Sequence, residues 1–135
     1  MNRMLTVFLV LAASIVHAQS FPLKPVRIVV PFPAGGPTDI VARAMAQKMT
    51  ETLGQSVVVE NRAGAGGVLG TELVAKSPPD GYTLLMGTIG GLAVSMSLLP
   101  NRSFDTVRDF APITQAVNVT NILVTHPSVP AKNVK

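Results

Sequence analysis

Two kinds of segment alternate along this sequence, and this alternation constrains the fold more than any other feature. Apolar runs at positions 26–30, 57–59 and 83–86, the first two rich in β-branched residues, are typical of buried strands. A stretch with apolar residues at helical spacing follows each run. Strands that alternate with helices indicate βαβ crossovers and a parallel sheet, so we expect an α/β domain.

Local signals bound the three predicted helices. The first begins at Pro37, because proline suits the first helical position, and it ends at Gly54. The second spans residues 68–75 and is closed by a Pro-Pro pair shortly after it. The third covers residues 90–99, where two leading glycines lower the helix propensity.

The pattern changes after Pro100. Residues 104–110 predict one short helical turn, and residues 111–119 and 121–126 then predict two consecutive strands with no helix between them. Two such strands indicate the opening of a second structural unit. An edge hairpin on the first sheet is the alternative interpretation.

The amino terminus has the pattern of a cleavable signal peptide. A positively charged start at residues 1–3 precedes an apolar run at 4–16, and small residues then surround a cleavage site after Ala18. The apolar run is shorter than the roughly 20 residues that span a bilayer. We therefore predict export to the periplasm, with no stable membrane insertion once the signal peptide is removed.

Composition argues against several classes of function. The formal net charge is +4, and the chain has one tyrosine and no tryptophan. The interleaved basic and aromatic residues that stack nucleic-acid bases are therefore missing, and we predict no nucleic-acid partner. The chain also has no cysteine, so an exported product is held together by its core without disulfides.

No residue pattern predicts catalysis or a cofactor. His126 is the one histidine after the signal segment, which makes a zinc site unexpected. The G-x-S-x-G nucleophile motif is missing. The glycine-rich run that starts at Gly64 has Leu69 where a dinucleotide fingerprint needs its last glycine. We therefore expect a protein that is not an enzyme and that uses neither a metal nor a cofactor.

Three glycine-rich loops are the candidate binding segments. They cover residues 32–39, 61–67 and 87–91, and each follows a predicted strand and leads into a predicted helix. Ligands of open parallel sheets lie beyond the carboxyl ends of the strands. Glycines let the backbone approach a ligand, and a helix N-terminus favours a carboxylate or phosphate, although such glycines also serve turns alone.

Three polar side chains in these loops have more than one interpretation. The hydroxyl of Thr38 or Thr88 can donate to a ligand carboxylate, and Thr38 equally suits a helix start. The carboxylate of Asp39 repels another carboxylate. We expect Asp39 to orient the backbone, bind a water or meet an amino group of the ligand.

Four segments resemble the Bug receptors, the solute-binding proteins of tripartite tricarboxylate transporters. They read RIVVPFPAGGPTDIVAR at 27–43, GQSVVVENRAGAGG at 54–67, PDGYTLLMG at 79–87 and RDFAPI at 108–113. The resemblance implies a two-domain periplasmic-binding-protein fold, a clamshell that closes on its ligand. It also implies a small carboxylate ligand (a di- or tricarboxylate, an amino acid or an aromatic acid) and, as partners, the membrane subunits of the transporter.

The resemblance further implies that three loops supply the ligand-binding residues. The first strand-to-helix loop is expected to hold a ligand carboxylate, partly through bridging waters, and the other two loops line the remainder. The expected set is Phe32, Pro33, Ala34, Gly35, Gly36, Thr38, Asp39, Ala63, Gly64, Ala65, Gly66, Gly67, Gly87 and Thr88.

Because Bug receptors are considerably longer, the resemblance implies a truncated clamshell. We expect a signal peptide at 1–18, an incomplete α/β ligand-binding domain at 19–100, and the crossover and start of a second domain at 101–135. Some apolar surface is then expected to be exposed. Two other functions stay open: an exported α/β enzyme such as a small hydrolase, with catalytic residues outside this sequence, and a sensory carboxylate receptor.

Overall fold

The computed structural model describes residues 21–98, 103–120 and 122–130. The expected signal peptide at residues 1–18 lies outside the described residues, as does the last position of the third predicted helix. Within the described ranges, no helix has the length and apolar character needed to cross a membrane.

A three-stranded parallel sheet forms the centre of the domain. Its strands are β1 (Val26–Val30), β2 (Val57–Asn61) and β3 (Thr83–Leu85), in the order β2-β1-β3. Both pairings with β1 are parallel, which confirms the α/β prediction. β2 extends two residues beyond the predicted strand because its last two residues continue the pairing with β1.

Two helices lie where the sequence predicts them. Helix α1 covers Pro37–Leu53 and helix α2 covers Val68–Ala75. The left-handed conformation of Gly54 (φ 66°) ends α1, and its N–H donates to the carbonyl oxygen of Thr50 at 3.1 Å. The signals at the two ends of α1, Pro37 and Gly54, are local in sequence. The helix bounds could therefore be predicted without knowledge of the fold.

The third predicted helix has an irregular start. A π-helical turn at Gly90–Val94 precedes the short helix α3 (Ser95–Leu98). The two leading glycines favour this wider turn because they give little support to a regular α-helix. The Ser95 hydroxyl donates to the carbonyl oxygen of Gly91 at 2.6 Å, which joins the two pieces.

The core lies between β1 and α1, on one face of the sheet. It consists of buried residues that alternate along the strands and recur on one side of the helix: Val26, Ile28, Val30, Val57, Ala42 and Ala46. Val29 points to the opposite face, where α2 packs on β1 and β3, and it is also fully buried. The central strand is therefore covered on both faces, as expected for a parallel sheet.

The chain after Ser103 corrects part of the prediction. The helical turn is confirmed, since the N–H of Asp109 donates to the carbonyl oxygen of Asp105 at 2.9 Å. The two strands predicted at 111–119 and 121–126 are wrong, because residues 111–120 and 122–126 form neither strands nor a hairpin. Their β-branched residues suit a pleated surface, but a strand also needs a partner for its backbone groups. Within the described residues these stretches have no such partner and are exposed.

Candidate functional site

The three glycine-rich loops meet at the carboxyl edge of the sheet. We call residues 31–36 loop 1, 62–67 loop 2 and 86–89 loop 3; they follow β1, β2 and β3 respectively. Since the chain passes from one side of β1 to the other, this edge is a reversal point of the strand order. The predicted binding residues are therefore close to one another, on three loops and the first turn of α1.

Contacts between the loops are tight. A Cβ atom built on Gly67 would lie 3.3 Å from Cζ of Phe32, and one built on Gly90 would lie 4.0 Å from the carbonyl oxygen of Gly66. Loop 2 thus touches loop 1 on one side and the start of the third helical segment on the other. This contact makes the three loops a single surface.

Loop 1 leads directly into the N-terminus of α1. Gly36 is the N-cap residue, and no side chain caps the helix there. Pro37 has no N–H, so the first-turn donors are the N–H groups of Thr38 and Asp39, which a helix leaves without an intrahelical partner. The tip of loop 1, residues 33–35, is exposed. This end of α1 can present donors and a partial positive charge to an anion.

Asp39 is buried, with 2% of its surface exposed, and its carboxylate is fully engaged inside the protein. Oδ2 accepts the N–H of Gly35 at 2.8 Å and Nε of Arg43 at 2.9 Å, and Oδ1 accepts Nδ2 of Asn61 at 2.9 Å. The bond from Arg43, then those from Gly35 and Asn61, hold the pKa of Asp39 far below its usual value, against the opposing effect of burial. Of the roles open to Asp39, this geometry supports the orientation of backbone.

Sequence reasoning missed two residues of this cluster, Arg43 and Asn61. Nδ2 of Asn61 also donates to the carbonyl oxygen of Phe32 at 3.1 Å, and Nη2 of Arg43 donates to Oδ1 of Asn61 at 3.1 Å. Arg43 lies one helical turn after Asp39, and this i,i+4 spacing was a readable signal. Asn61 could be found only from the parallel register, which places it beside Val30.

Loop 2 has an unusual backbone. Its last four residues all have positive φ: Gly64 (145°), Ala65 (49°), Gly66 (65°) and Gly67 (97°). Ala65–Gly67 form a short 3₁₀ turn that leads into α2, and the Thr71 hydroxyl of α2 donates to the carbonyl oxygen of Gly67 at 2.8 Å. Ala63 precedes them and is exposed. Side chains are disfavoured at such φ values, which accounts for the glycines in this loop.

Loop 3 contributes a buried hydroxyl. Gly87 is exposed, whereas Oγ1 of Thr88 is buried and has no hydrogen-bond partner among the residues that the structure describes. A Cβ atom built on Gly90 would lie 3.9 Å from this oxygen and 4.0 Å from the carbonyl oxygen of Gly66, so Thr88 lies near loop 2. Buried polar atoms in folded proteins are nearly always paired, and this one needs an explanation.

The carboxylates near this edge are balanced by cations. Asp39 pairs with Arg43, and Glu60 at the end of β2 pairs with Arg62 and with Arg27, the latter at 3.0 Å. Burial raises the pKa of Glu60, but the bonds from the two arginines outweigh it and the pKa is lowered. An anionic ligand at this edge therefore meets few uncompensated negative charges.

A parallel sheet with three glycine-rich loops at its reversal point defines an α/β ligand-binding domain. Comparison with known proteins places this domain more closely. Residues 41–135 match the family described as the tripartite tricarboxylate transporter family receptor, TctC. The chain belongs to this family, and the resemblance to the Bug receptors is confirmed.

Several relatives are similar to this chain over only part of their own length. Protein BugT of Bordetella pertussis is 46% identical over 118 residues, which cover 87% of this chain and 36% of BugT. MatC of Rhodopseudomonas palustris, solved with bound malate, has a TM-score of 0.65 and 44% identity, covering 68% of this chain and 31% of MatC. A second R. palustris protein, solved with adipate, has a TM-score of 0.51 and 47% identity, covering 52% of this chain and 23% of that protein. The chain thus spans about a third of the curated relative and of MatC.

Proposed function

We propose that this chain is the N-terminal part of a periplasmic receptor that captures a small carboxylate for a tripartite tricarboxylate transporter. The observation that carries the proposal is the buried hydroxyl of Thr88, which has no partner within the described protein and lies where loop 2 and loop 3 meet. A ligand carboxylate oxygen is a natural acceptor for this O–H. Such a bond requires loop 3 to shift, because the oxygen is buried in the unliganded protein, and it would satisfy the one side-chain atom that the described residues bury without a hydrogen bond.

The N-terminus of α1 supplies the second part of the proposed site. Its first-turn N–H groups at Thr38 and Asp39 receive no side-chain cap, so they suit a carboxylate, directly or through bridging waters. The glycines of loops 1 and 2 let the ligand approach the backbone closely. The proposed contacts are those expected from the sequence; Asp39 contributes its N–H group, and its side chain orients the backbone of loop 1, which is one of the roles expected for it.

The proposed ligand class is a dicarboxylate or a related small acid. Two similar proteins were solved with malate and with adipate, and both of these molecules are dicarboxylates. One carboxylate would bind at the end of α1 and Thr88. The other would be held by residues that this chain does not contain, since it spans about a third of MatC.

The proposed domain organisation follows the same relatives. Residues 19–100 would form one half of a clamshell, and residues 101–135 would cross toward the other half, after cleavage of a signal peptide at 1–18. The apolar side chains exposed between residues 111 and 129 are compatible with this proposal. They would be covered in a complete two-domain receptor. We propose no catalytic step, because the matching family is described as a transporter family receptor.

Thermal shift with a ligand panel tests this function. The chain is titrated with malate, adipate, citrate, aspartate and benzoate, and with the methyl esters of the same acids. A ligand that binds only the folded state raises Tm. At a ligand concentration of 100 times Kd it adds about 2.7 kcal/mol to the free energy of unfolding. We expect at least one free acid to raise Tm and its ester to have no effect.

The variant Thr88→Val identifies the site, with Thr52→Val as its matched control. Thr52 lies on the exposed last turn of α1, where its hydroxyl donates to the carbonyl oxygen of Lys48. Loss of one hydrogen bond to a charged acceptor should weaken Kd by about tenfold in Thr88→Val alone. Equal Kd in both variants would remove Thr88 from the site.

Two further results would favour the alternative functions. Turnover of an ester would favour the hydrolase. Association of the protein with a signalling partner in place of a transporter would favour the sensory receptor.

A further inference from the structure

Three side chains at the carboxyl edge form a closed ring of hydrogen bonds. Oδ1 of Asp39 accepts Nδ2 of Asn61 at 2.9 Å, and Oδ1 of Asn61 accepts Nη2 of Arg43 at 3.1 Å. Nε of Arg43 returns to Oδ2 of Asp39 at 2.9 Å. The ring connects helix α1 to the last residue of β2.

The ring also holds loop 1 at two points. The N–H of Gly35 donates to Oδ2 of Asp39 at 2.8 Å, and the carbonyl oxygen of Phe32 accepts Nδ2 of Asn61 at 3.1 Å. These two contacts lie on either side of Pro33 and Ala34. Asp39 and Asn61 therefore hold the loop on both sides of these two residues, and Arg43 donates to both holding side chains.

Packing contributes little to the order of the tip of this loop. Pro33, Ala34 and Gly35 are exposed, and no side chain caps the helix at Gly36. An exposed segment gains little from burial, so hydrogen bonds must offset the entropy that it loses when it is ordered. Asp39 and Asn61 of the ring make such hydrogen bonds to loop 1.

We propose that Arg43 and Asn61 are positioning residues for the carboxylate site. By fixing loop 1, they present the first-turn N–H groups of α1 in one orientation before a ligand arrives, which lowers the entropy lost on binding. This inference rests on the proposed function. Neither residue needs to touch the ligand.

An ordinary helix ion pair is the competing interpretation. Arg43 and Asp39 have i,i+4 spacing, and the Arg43 side chain is 54% exposed, so such a pair alone would stabilise α1 only slightly. Lys76 and Glu72 on α2 form a matched pair with the same spacing and a side chain that is 60% exposed. The variant Lys76→Ala is therefore the control for Arg43→Ala.

The test uses Arg43→Ala, Asn61→Ala, the milder Arg43→Lys and the control Lys76→Ala in the full chain. Two quantities are measured at a temperature where every variant is folded. They are the hydrogen-exchange rate of the Gly35 amide without ligand, and Kd for the acid of the thermal-shift panel that raises Tm most. We expect Gly35 to exchange at least about tenfold faster and Kd to weaken by about tenfold in both alanine variants. Arg43→Lys should lie between them and the wild type, and Lys76→Ala should match the wild type.

Each outcome decides the inference. Unchanged exchange at Gly35 would overturn it, as would faster exchange with unchanged Kd, because the ring would then be structural only. If the wild-type chain binds none of the five acids of the thermal-shift panel, the proposed function fails by that result. The Gly35 exchange rates still show whether Arg43 and Asn61 position loop 1, so the two failures are distinguishable.

Discussion

Gly70 on α2 lies against the backbone of Pro31, the residue that follows β1. A Cβ atom built on Gly70 would lie 2.9 Å from Cα of Pro31 and 2.7 Å from the carbonyl oxygen of Arg62. Real Cβ atoms do not approach backbone so closely, so α2 would have to move away from the sheet. This glycine fixes the distance between α2 and the loops that follow β1 and β2.

The substitution Gly70→Ala should therefore destabilise the fold. Overpacking of this kind typically costs about 1–3 kcal/mol, which exceeds the gain of up to about 1 kcal/mol in helix propensity. At Gly90 the nearest atom to a built Cβ is 3.9 Å away, so Gly90→Ala is the control and should be neutral or stabilising. Thermal unfolding of both variants measures the difference. Equal Tm values would show that α2 moves without penalty.

The core on the other face of the sheet gives a second matched pair. Ile28 is 3% exposed in β1, whereas Ile40 is 62% exposed on α1. Ile28→Ala should lower the free energy of unfolding by about 2–5 kcal/mol, because it leaves a cavity in the core. Ile40→Ala should change it by less than about 0.5 kcal/mol. Denaturant titration of the two variants checks this, and a large effect at Ile40 would mean that this face is covered.

The charge of Asp39 makes stability depend on pH. Its pKa is far below the ordinary value of about 3.9 that the unfolded chain has. As pH falls, the unfolded state therefore binds the proton first. The stabilisation of the folded state by the Asp39 carboxylate is present above about pH 4 and decreases as pH falls further. Asp39→Asn should lower Tm at pH 7, and the gap to the wild type should narrow below about pH 4.

A control separates Asp39 from other carboxylates with lowered pKa values. Asp80 is more exposed, and the N–H of Tyr82 and then Lys24 lower its pKa. Asp80→Asn should therefore lower Tm less at pH 7. Tm is measured for both variants from pH 7 to pH 3. A gap between Asp39→Asn and the wild type that stays constant over this range would contradict the assignment.

Thr88 predicts opposite signs for stability and for binding. Its hydroxyl oxygen is buried without a partner in the described protein, so its removal relieves an unsatisfied group. Thr88→Val should raise the unfolding free energy of the unliganded chain by about 1 kcal/mol, although it weakens the proposed binding. Thr52→Val should change it by less than about 0.5 kcal/mol. Denaturant titration without ligand decides, and destabilisation by Thr88→Val would mean that the hydroxyl has a bond in the free protein.

The exposed apolar stretch after residue 110 predicts self-association. Ile122, Leu123 and Val124 are each about three-quarters exposed and consecutive. Exposed runs of this kind promote aggregation, and a charge within the run opposes it. Leu123→Asp should lower the light scattering of concentrated samples, whereas Val107→Asp, at an isolated and even more exposed residue, should have little effect. Equal scattering by the two variants and the wild type would exclude this stretch as the cause.

The predictable part of the fold depended on local signals. Pro37 and Gly54 bound α1 through their own backbone preferences, and short apolar runs marked the three strands. The prediction of strands after residue 110 was wrong because β-branched residues only favour the extended conformation, whereas strand pairing depends on a partner that is distant in sequence. Four motifs in order predicted the family, which a single glycine-rich loop could not do.

The candidate site was predictable at the level of loops but not of side-chain roles. Glycine patterns located all three loops at one edge. The role of Asp39 in orienting loop 1 depends on its hydrogen bond with Asn61, a residue 22 positions later in the sequence that the fold places beside it. The bonding state of Thr88 depends on how loop 2 and loop 3 pack, and no local pattern encodes this packing.

The central position of β1 has a consequence for the order in which the sheet assembles. β1 comes first in the sequence, but its residue Arg27 pairs with Thr83, 56 positions later. Helix α1 can form from local contacts, whereas the second ladder must wait until a long loop closes. Until β3 pairs with β1, the backbone groups on that edge of β1 are unpaired, and this edge includes the apolar residues Ile28 and Val29. The slowest step in folding should therefore be the docking of β3, and this is the stage at which the nascent sheet is open to pairing with another chain.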